Sequence, residues 1–439
     1  MNLTFDLQNA AGRFKILNAV NGGPMHKRHS TSQQRSNFEE YTKARIPFTR
    51  NHDSGMDAVH GGPYSHDVSH VFPDFDADPT DPASYDFDCT DEDILVALEA
   101  GTKTFFRLGE TIEHQIKKHA TVPPKDFHKW AVICEHIIRH YTEGWADGFY
   151  HDITYWEIWN EPNLDPDDAP LTAKKCWGGT TPQFYDLYEI AAKHLKSCFP
   201  HLKIGGPSIA YNERWTDEFL AEMKRREVPI DFLTWHQYAH EPHHLVERAV
   251  RVDELLKKHG YADAENILSE WNYIRGWREK FVYSLETIAN AKGAAFMMAC
   301  ISELQKSPVD MTMYYDLRGG VFNGAFDLRT LRPLKGYYPL YWYGMFYDME
   351  KFVPCTTAES DIYTLAGIDG HGKVLAVVTY YTDNDTCTDE KSITLNFGRE
   401  GKYELYLLDA NHDAELFDTV TEPNFTLKPN SCMLVKEIN

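Results

Sequence analysis

The sequence lacks the signals of several common protein classes. Its eight cysteines show no close pairing and no CxxC spacing, which excludes a zinc-finger pattern and a disulfide framework and indicates free thiols. Acidic residues outnumber lysine and arginine, and the formal net charge is -22. A nucleic-acid partner is therefore not expected, because phosphate binding requires clustered basic residues. The acidic excess favours solubility.

Long apolar runs are also missing. No stretch approaches the roughly 18 apolar residues that a transmembrane helix requires. The start, Met-Asn-Leu-Thr-Phe-Asp-Leu, has no basic segment followed by an apolar one, as a secretory signal would. We therefore expect no membrane partner and a cytoplasmic location, with a secreted chain whose leader has been removed as the alternative.

Metal-binding and cofactor-binding spacings are absent as well. The histidines form two groups, and neither has the short fixed spacing with carboxylate support that HExxH shows. These groups are His52, His60, His66 and His70, and His236, His240, His243 and His244. Asn21-Gly22-Gly23-Pro24 does not match the GxGxxG spacing of a dinucleotide-binding loop. We predict neither a metal nor a cofactor.

The chain does contain a regular alternation of apolar strands and amphipathic helices. The predicted strands cover 14–20, 46–50, 103–108, 153–162, 203–207, 232–236, 266–270 and 311–315. The predicted helices cover 33–44, 92–100, 126–142, 182–197, 216–226, 244–259 and 284–304. Eight strands with helical returns predict an α/β fold, a closed (β/α)₈ TIM barrel at 14–345. A doubly wound open sheet is the alternative, and the missing phosphate loop argues against it.

Two segments depart from this alternation. Residues 51–91 are rich in Asp, Pro and His without periodicity, which predicts a long loop at the mouth of the barrel. Residues 346–439 contain short β-rich runs separated by Gly, Asn and Asp turns, which predict a small β-sandwich. The sandwich strands are expected at 362–365, 374–381, 392–397, 403–408 and 431–435.

Two predicted barrel strands end in a glutamate. Glu161 ends the apolar run 153–162, and Glu270 ends the run 267–271. If these are the fourth and seventh barrel strands, the carboxylates face each other across the mouth, where barrel enzymes place their chemistry. Glycosidic cleavage needs such a pair, because one acid protonates the departing oxygen and the other meets the charge at the anomeric carbon. Asn160 supplies an amide to a sugar hydroxyl, or is a turn-former after the strand.

Four stretches resemble the landmarks of retaining glycoside hydrolases whose acids end strands four and seven. They are Tyr155-Trp-Glu-Ile-Trp-Asn-Glu-Pro-Asn-Leu164, Ile204-Gly-Gly-Pro207, Trp235-His-Gln-Tyr238 and Ser269-Glu-Trp271. The chain is most similar to glycoside hydrolase family 39, which includes β-xylosidases and α-L-iduronidases. The resemblance covers most of the chain and implies that the strand within 1–13 joins the sandwich.

The resemblance implies a role for each matching residue. Glu161 corresponds to the acid/base, Glu270 to the nucleophile and Asn160 to the partner of the sugar 2-hydroxyl. The Arg-x-His after strand two and the His-x-Tyr after strand six are also matched, by Arg50 with His52 and by His236 with Tyr238. The resemblance implies that both histidines hydrogen-bond sugar hydroxyls and that Tyr238 orients the nucleophile.

The segment after strand eight departs from the family pattern. The xylosidases continue there with acids that bind the substrate, whereas this chain has Tyr314-Tyr-Asp-Leu-Arg-Gly-Gly320. Tyr315 keeps an aromatic sugar contact, and Arg318 is either a partner for a uronate carboxylate or a surface arginine. Several tryptophans near strand ends are either sugar-stacking or core residues, namely Trp145, Trp177, Trp215, Trp271 and Trp277.

The sequence therefore predicts a retaining, exo-acting glycosidase with a carbohydrate substrate, and β-xylosidase-like activity is the first expectation. Arabinosides and uronates are alternative substrates of the same mechanism. A barrel that binds carbohydrate without cleaving it, and an enzyme that transfers the sugar to an acceptor, are the competing hypotheses. The glycone, the linkage and the oligomeric state stay open at this stage.

Overall fold

The computed structural model describes residues 1–25, 36–52, 66–318, 320–356 and 359–438. Residues 33–35 of the helix predicted at 33–44, the whole segment 53–65 of the predicted long loop with His60, and Gly319 lie outside these residues. In the described part of the loop, a short helix and the start of a longer one replace the predicted irregular chain.

Eight parallel strands form a closed barrel, as predicted. The first strand of the chain, β1 (Asn2–Phe5), precedes the barrel. The barrel strands are β2 (Ile16–Asn21), β3 (Phe48–Arg50), β4 (Lys103–Leu108), β5 (Tyr155–Ile158), β6 (Lys203–Ala210), β7 (Phe232–Ala239), β8 (Glu265–Tyr273) and β9 (Met311–Tyr314). The barrel closes between β9 and β2, with Ile16 opposite Met311. Glu161 therefore follows the fourth barrel strand, and Glu270 lies near the end of the seventh.

Amphipathic helices return the chain between the strands. The helices are α1 (Phe38–Ala44), α2 (Val68–Val71), α3 (Asp88–Glu99), α4 (Phe127–Glu143), α5 (Thr181–Cys198), α6 (Glu213–Arg225), α7 (Pro242–Lys258), α8 (Phe281–Ile288), α9 (Ala291–Leu304) and α10 (Tyr337–Met345). The single helix predicted at 284–304 is wrong, because Asn290 interrupts it. The side chain of Asn290 accepts hydrogen bonds from the backbone N–H of Lys292 and Gly293 and so begins a new helix.

The barrel interior changes from apolar to polar towards the mouth. Phe105, Tyr155, Phe232 and Met311 belong to one buried cluster contributed by different barrel strands. Side chains alternate along a strand, so residues two positions further on point the same way. Glu157 follows Tyr155 by two positions and is completely buried. The next layer of the interior is therefore charged, and it forms the floor of the mouth.

The remaining strands form two sheets that pack as a β-sandwich. They are β10 (Lys351–Phe352), β11 (Cys355–Thr356), β12 (Ile362–Ile368), β13 (Val374–Tyr380), β14 (Lys391–Asn396), β15 (Tyr403–Leu408), β16 (Asp413–Val420), β17 (Asn424–Leu427) and β18 (Ser431–Glu437). The sheet orders are β11-β1-β14-β17 and β10-β12-β13-β18-β15-β16. The N-terminal β1 pairs with β14, as the family resemblance implied. The boundary at 345/346 stays a prediction.

The sequence did not indicate β10, β11, β16 or β17, and the first two have only two residues each. The strand β16 lies at the edge of its sheet and its residues are largely exposed, so the apolar alternation that marks a strand is missing. The strand β17 is four residues long. Among the residues that the structure describes, no helix has the length and apolar character needed to cross a membrane.

Candidate active site

A tight turn after β5 directs Glu161 into the mouth of the barrel. Trp159 and Glu161 both have positive φ angles, of 71° and 44°. The left-handed region costs a non-glycine residue about 1–2 kcal/mol, so the surroundings must hold the turn. The backbone N–H of Trp159 donates to the carbonyl of Leu108 at 2.6 Å, and that of Glu161 donates to the carbonyl of Ser208 at 2.9 Å. The neighbouring strands β4 and β6 thus hold the acid in place.

Glu270 faces Glu161 across the mouth. It lies within β8, three residues before the strand ends, and its side chain is nearly buried. A carboxylate oxygen of Glu161, one of Glu270 and a ring nitrogen of His236 all lie within 4.8 Å of one another. Carboxylates that act through a covalent intermediate lie roughly 5 to 5.5 Å apart, whereas inverting pairs are separated by about 6.5 to 9.5 Å. The observed separation belongs to the first kind.

The protonation of Glu161 is shifted towards the acid form. Burial raises the pKa of Glu161 from 4.5 to about 7, and Asp165 adds to this shift, whereas Arg50 and Lys175 oppose it. A carboxyl with a pKa of about 7 holds a proton for much of the time at neutral pH, and it can also take one back. This is the property required of an acid that later acts as a base.

Arg50 forms hydrogen bonds with several side chains of the site. It is completely buried and donates from Nε to Glu157 at 2.6 Å and from Nη1 to Glu270 at 2.8 Å. Its Nη2 donates to Oδ1 of Asn160 at 2.8 Å and to the hydroxyl of Ser208 at 2.9 Å. These contacts use the guanidinium on protein groups. The placement favours a role in positioning the acids over a direct contact with the substrate.

His236 lies between the two acids. Its Nδ1 is 2.7 Å from Oε1 of Glu161 and 3.5 Å from Oε2 of Glu270. Burial lowers the pKa of His236 to about 4, although Glu270 opposes the shift, so the ring is neutral at neutral pH. The Nε2 atom has no hydrogen-bond partner among the described residues, and it is therefore available to a sugar hydroxyl.

Tyr238 and His52 flank the second acid. The hydroxyl of Tyr238 donates to Oε2 of Glu270 at 2.9 Å, the contact that the resemblance implied. Burial raises the pKa of Tyr238 well above its usual value, and the charge of Glu270 adds to this, so the phenol keeps its proton. His52 is buried with Nε2 3.8 Å from Oε1 of Glu270. Burial, and then Arg50, lower the pKa of His52 well below its usual value, so this ring is neutral too.

Asn160 has one polar atom engaged and one available. Its Oδ1 accepts the hydrogen bond from Arg50, which orients the amide so that the Nδ2 atom is identified as the donor end. In the part of the chain that the structure describes, Nδ2 has no hydrogen-bond partner. An amide donor held next to the acid suits the predicted contact with a sugar 2-hydroxyl.

The remaining predicted sugar contacts are those of Tyr315 and Trp271. Tyr315 is half-buried, with its ring centroid 5.5 Å from that of Phe322 and 6.5 Å from that of Tyr238. Trp271 is completely buried and packs its ring against Phe296 of α9 and against Tyr314. A position between the barrel and its helices argues against the predicted sugar contact of Trp271.

Arg318 is not a surface arginine. Its side chain is largely buried and forms an ion pair with Asp93 of α3. Burial opposes ionisation of Asp93, but Arg318 and His66 outweigh it and hold the pKa of that carboxyl well below its usual value. The guanidinium is therefore already paired with a carboxylate, which weakens the case for a uronate partner at this position.

The sequence interpretation missed three residues of the site. Glu157 accepts hydrogen bonds from Arg50 and from the hydroxyl of Ser208, the latter at 2.7 Å. Asn21 accepts a hydrogen bond from Nη1 of Arg50 at 3.0 Å. A charged residue in the middle of the apolar strand β5 was a usable signal for Glu157, because a buried charge requires a partner. No comparable signal marks Ser208 or Asn21.

The site residues also have the atom types of metal ligands. Glu161, His236 and Glu270 form one of three such groups among the described residues. However, the guanidinium of Arg50 contacts Glu270 and already balances its negative charge. An additional cation would be repelled by this fixed positive charge, so we assign no metal to these residues.

A closed parallel barrel with two facing glutamates at the carboxyl ends of its strands is the architecture of the barrel glycoside hydrolases. The sequence model described as "Glycosyl hydrolases family 39" matches residues 27–268, more than half of the chain. The chain therefore belongs to glycosyl hydrolase family 39.

Two curated relatives match a shorter region. The β-xylosidase of Geobacillus stearothermophilus is 32% identical over 152 residues, which are 34% of this chain and 26% of the relative. The β-xylosidase of Caldicellulosiruptor saccharolyticus is 32% identical over 144 residues, which are 32% of this chain and 25% of the relative. The matching region thus spans about a quarter of each relative.

Solved structures match over the whole length. A glucosidase from Croceicoccus marinus superposes with a TM-score of 0.80 at 22% identity, covering 100% of this chain and 99% of that chain. A monomeric β-xylosidase from Caulobacter crescentus CB15 gives 0.73 at 17% identity, covering 99% of each chain. A GH51 α-L-arabinofuranosidase from Thermotoga petrophila gives 0.71 at 16% identity, covering 100% of both. At these identities the likeness establishes the fold, a barrel with a β-sandwich.

Proposed function

We propose that the protein is a retaining glycosidase that removes a terminal sugar from a small glycoside by double displacement. The observation that carries the proposal is the separation of Glu161 and Glu270, whose nearest ligand oxygens lie within 4.8 Å. A pair at this distance leaves no room for a water molecule on the opposite face of the sugar, as an inverting enzyme requires. Membership of family 39 supports the same reaction class.

In the first step Glu270 attacks the anomeric carbon while Glu161 donates its proton to the leaving oxygen. The C–O bond to the leaving group breaks, and a covalent ester forms between the sugar and Glu270. Tyr238 and Arg50 each donate a hydrogen bond to the carboxylate of Glu270 and orient it for attack. The Nδ2 of Asn160, which has no hydrogen-bond partner among the described residues, donates to the 2-hydroxyl, a contact that strengthens as positive charge develops on the ring.

In the second step Glu161, now a carboxylate, removes a proton from water, and the hydroxide attacks the same carbon. The ester bond to Glu270 breaks. Because each of the two steps inverts the anomeric carbon, the product has the configuration of the substrate. The pKa of about 7 for Glu161 suits both steps, because the group must give a proton and then accept one.

A β-xyloside is the first substrate to test, since both curated relatives are named β-xylosidases. Arabinosides stay on the panel as an alternative, and uronates have a weaker case because Arg318 is paired with Asp93. A panel of aryl glycosides of xylose, arabinose, glucose, galactose and uronic acids identifies the glycone. Release of nitrophenol from none of them would favour a binding protein over an enzyme.

Two variants and one control test the assignment of the acids. Glu270→Ala should lose turnover and recover it with azide, giving a glycosyl azide of inverted configuration. Glu161→Ala should still cleave aryl glycosides with good leaving groups. It should no longer cleave substrates with poor leaving groups, because their departure requires a proton from the acid. Glu39→Ala, at a glutamate whose side chain is 78% exposed, is the control and should act as wild type. Unchanged activity in Glu270→Ala would refute the assignment.

A further inference from the structure

A loop of the β-sandwich contacts the barrel. We call the connection between β13 and β14 the acidic loop (residues 381–390). The carboxylate of Asp383 in this loop is nearly buried. Its Oδ1 accepts hydrogen bonds from the hydroxyl of Tyr273 at 2.6 Å and from Lys292 at 2.8 Å. Its Oδ2 lies 3.0 Å from Nδ1 of His240 and 3.2 Å from Nε of Arg275.

Asp385 in the same loop contacts an overlapping set of barrel residues. Its Oδ1 accepts hydrogen bonds from the hydroxyl of Tyr283 at 2.6 Å and from Lys292 at 2.7 Å. Its Oδ2 accepts a hydrogen bond from Nη1 of Arg275 at 2.8 Å. Lys292 also donates to the backbone carbonyl of Asp383 at 2.9 Å. The loop and the barrel thus share one continuous ionic network.

Two barrel residues of this network lie on or directly after the strands that carry the candidate site. Tyr273 is the last residue of β8, three positions after Glu270. His240 follows β7 two positions after Tyr238. At about 3.3 Å per strand residue, the anchors lie roughly 10 Å and 7 Å from these two site residues. The acidic loop therefore holds the ends of both strands close to the reacting groups.

A second connection runs through Trp277. This residue lies between Arg275 and Tyr283, both of which Asp385 holds. Its side chain is 56% exposed, and its ring stands edge-on to Tyr238 with the centroids 5.1 Å apart. Tyr238 in turn donates its hydrogen bond to Glu270. Asp385 therefore holds the segment 275–283 at both ends, and Trp277 of this segment contacts Tyr238, the hydrogen-bond donor to the predicted nucleophile.

Stability alone does not account for this network. Lys292 is nearly buried, as is Asp383, and taking such a pair out of water costs about as much as the attraction returns. Where a buried ionic network adds little net stability, it can still select one arrangement of the groups that it joins. Here the groups are the ends of β7 and β8.

We infer that Asp383 and Asp385 of the β-sandwich are positioning residues for the active site and hold Tyr238 and Glu270 in their reacting arrangement. The inference rests on the proposed glycosidase function. The sandwich then supplies part of the site without touching the substrate, and the barrel alone carries an incompletely ordered nucleophile.

The test compares three variants. Asp383→Asn and Asp385→Asn remove the charges of the acidic loop, and Asp385, with its side chain 49% exposed, carries little risk of failure to fold. Asp413→Asn is the matched control, because Asp413 also joins the sandwich to the barrel through Lys335, at 2.6 Å and with its side chain 53% exposed. We expect kcat to fall about tenfold in the first two variants with KM changed less than about twofold, and no change in the control.

A double-mutant cycle tests the route to the nucleophile. The losses of kcat in Asp385→Asn and Tyr238→Phe should be less than additive, because the two residues act on the same carboxylate. Additive losses, or an equal loss of kcat in Asp413→Asn, would overturn the inference. Wild-type kcat in both acidic-loop variants of an active enzyme would overturn it as well.

Hydrogen exchange gives a readout that does not depend on activity. Amides in 237–241 and 271–283 should exchange faster in Asp383→Asn and Asp385→Asn than in wild type, and those in Asp413→Asn should not. If the wild type cleaves no glycoside but exchange responds in this way, the proposed function fails and the positioning by the loop stands. Unchanged exchange in these segments would refute the positioning whatever the activity.

Discussion

Arg50 donates from Nη1 to Oε1 of Glu270 at 2.8 Å, and the Arg50 side chain is completely buried whereas that of Glu270 is nearly so. The same guanidinium also reaches Asn160, so one residue orients the predicted nucleophile and the predicted 2-hydroxyl partner. A planar fork with five N–H donors can serve acceptors in several directions at once, whereas an ammonium cannot.

Replacing this guanidinium should therefore disable the site even when the charge is kept. In Arg50→Lys we expect kcat to fall about 100-fold, because a displacement near 1 Å of a reacting group costs about that much. Steady-state kinetics and a thermal melt measure the effect. The control is Arg45→Lys, since Arg45 pairs with Asp348 at the surface and is 45% exposed. Kinetics of Arg50→Lys equal to those of Arg45→Lys would contradict the role.

A glycine supports the turn that presents Glu161. A Cβ atom at Gly109 would lie 2.9 Å from Cα of Trp159, and the φ angle of Gly109 is 152°. The methyl group in Gly109→Ala should displace Trp159 and the turn that follows it, and kcat should fall about tenfold or more. Gly101→Ala is the comparison, because Gly101 has φ 80° and no described atom within 4 Å of the added Cβ.

Gly101→Ala should lose about 1 kcal/mol of stability through backbone strain, and Gly109→Ala should lose more because its Cβ also clashes with Trp159. Only Gly109→Ala should lower kcat, because the clash displaces Trp159 whereas Gly101 has open space. Urea unfolding and steady-state kinetics separate the two effects. Equal kcat values in the two variants would show that Gly109 does not support the turn.

The barrel was predictable from the sequence because its signals are local and repeated. The two glutamates were predictable because each comes at or next to the end of an apolar run in the sequence. The arrangement around Arg50 was not, since its partners Asn21, Glu157 and Ser208 come from three other strands and meet through the closure of the barrel. The break at Asn290 and the polar edge strand β16 were missed because a cap within a helical pattern and an exposed strand carry little apolar periodicity.

The activity should depend on pH through Glu161. The first step requires the protonated acid, and the pKa of Glu161 is raised to about 7 by burial. We expect kcat/KM for a substrate with a poor leaving group to fall tenfold per pH unit above about pH 7. Glu161→Gln should abolish this basic limb along with most of the activity. A basic limb that persists in Glu161→Gln would assign it to another group.

The same pKa shift predicts an effect on stability. The pKa of Glu161 is raised from 4.5 to about 7 in the folded state, so folding favours the protonated form. The resulting stabilisation is present below pH 4.5 and is lost as the pH rises to about 7. A shift of this size corresponds to about 3 kcal/mol at 1.36 kcal/mol per unit.

Between pH 4.5 and pH 8, wild type should therefore lose about 3 kcal/mol of unfolding free energy relative to Glu161→Gln, whose amide does not titrate. Urea unfolding of both proteins across this range measures the difference. A constant difference between the two proteins would contradict the raised pKa of Glu161.

The covalent intermediate on Glu270 is the central claim, and trapping it is the most direct test. The enzyme is incubated with a 2-deoxy-2-fluoro glycoside of the preferred sugar and a good leaving group, which slows hydrolysis of the ester. Peptide mass spectrometry should then find one fluorosugar per chain, on the peptide that contains Glu270, with loss of activity in step with labelling. A label on another residue, or turnover that gives a product of inverted configuration without any label, would contradict the account.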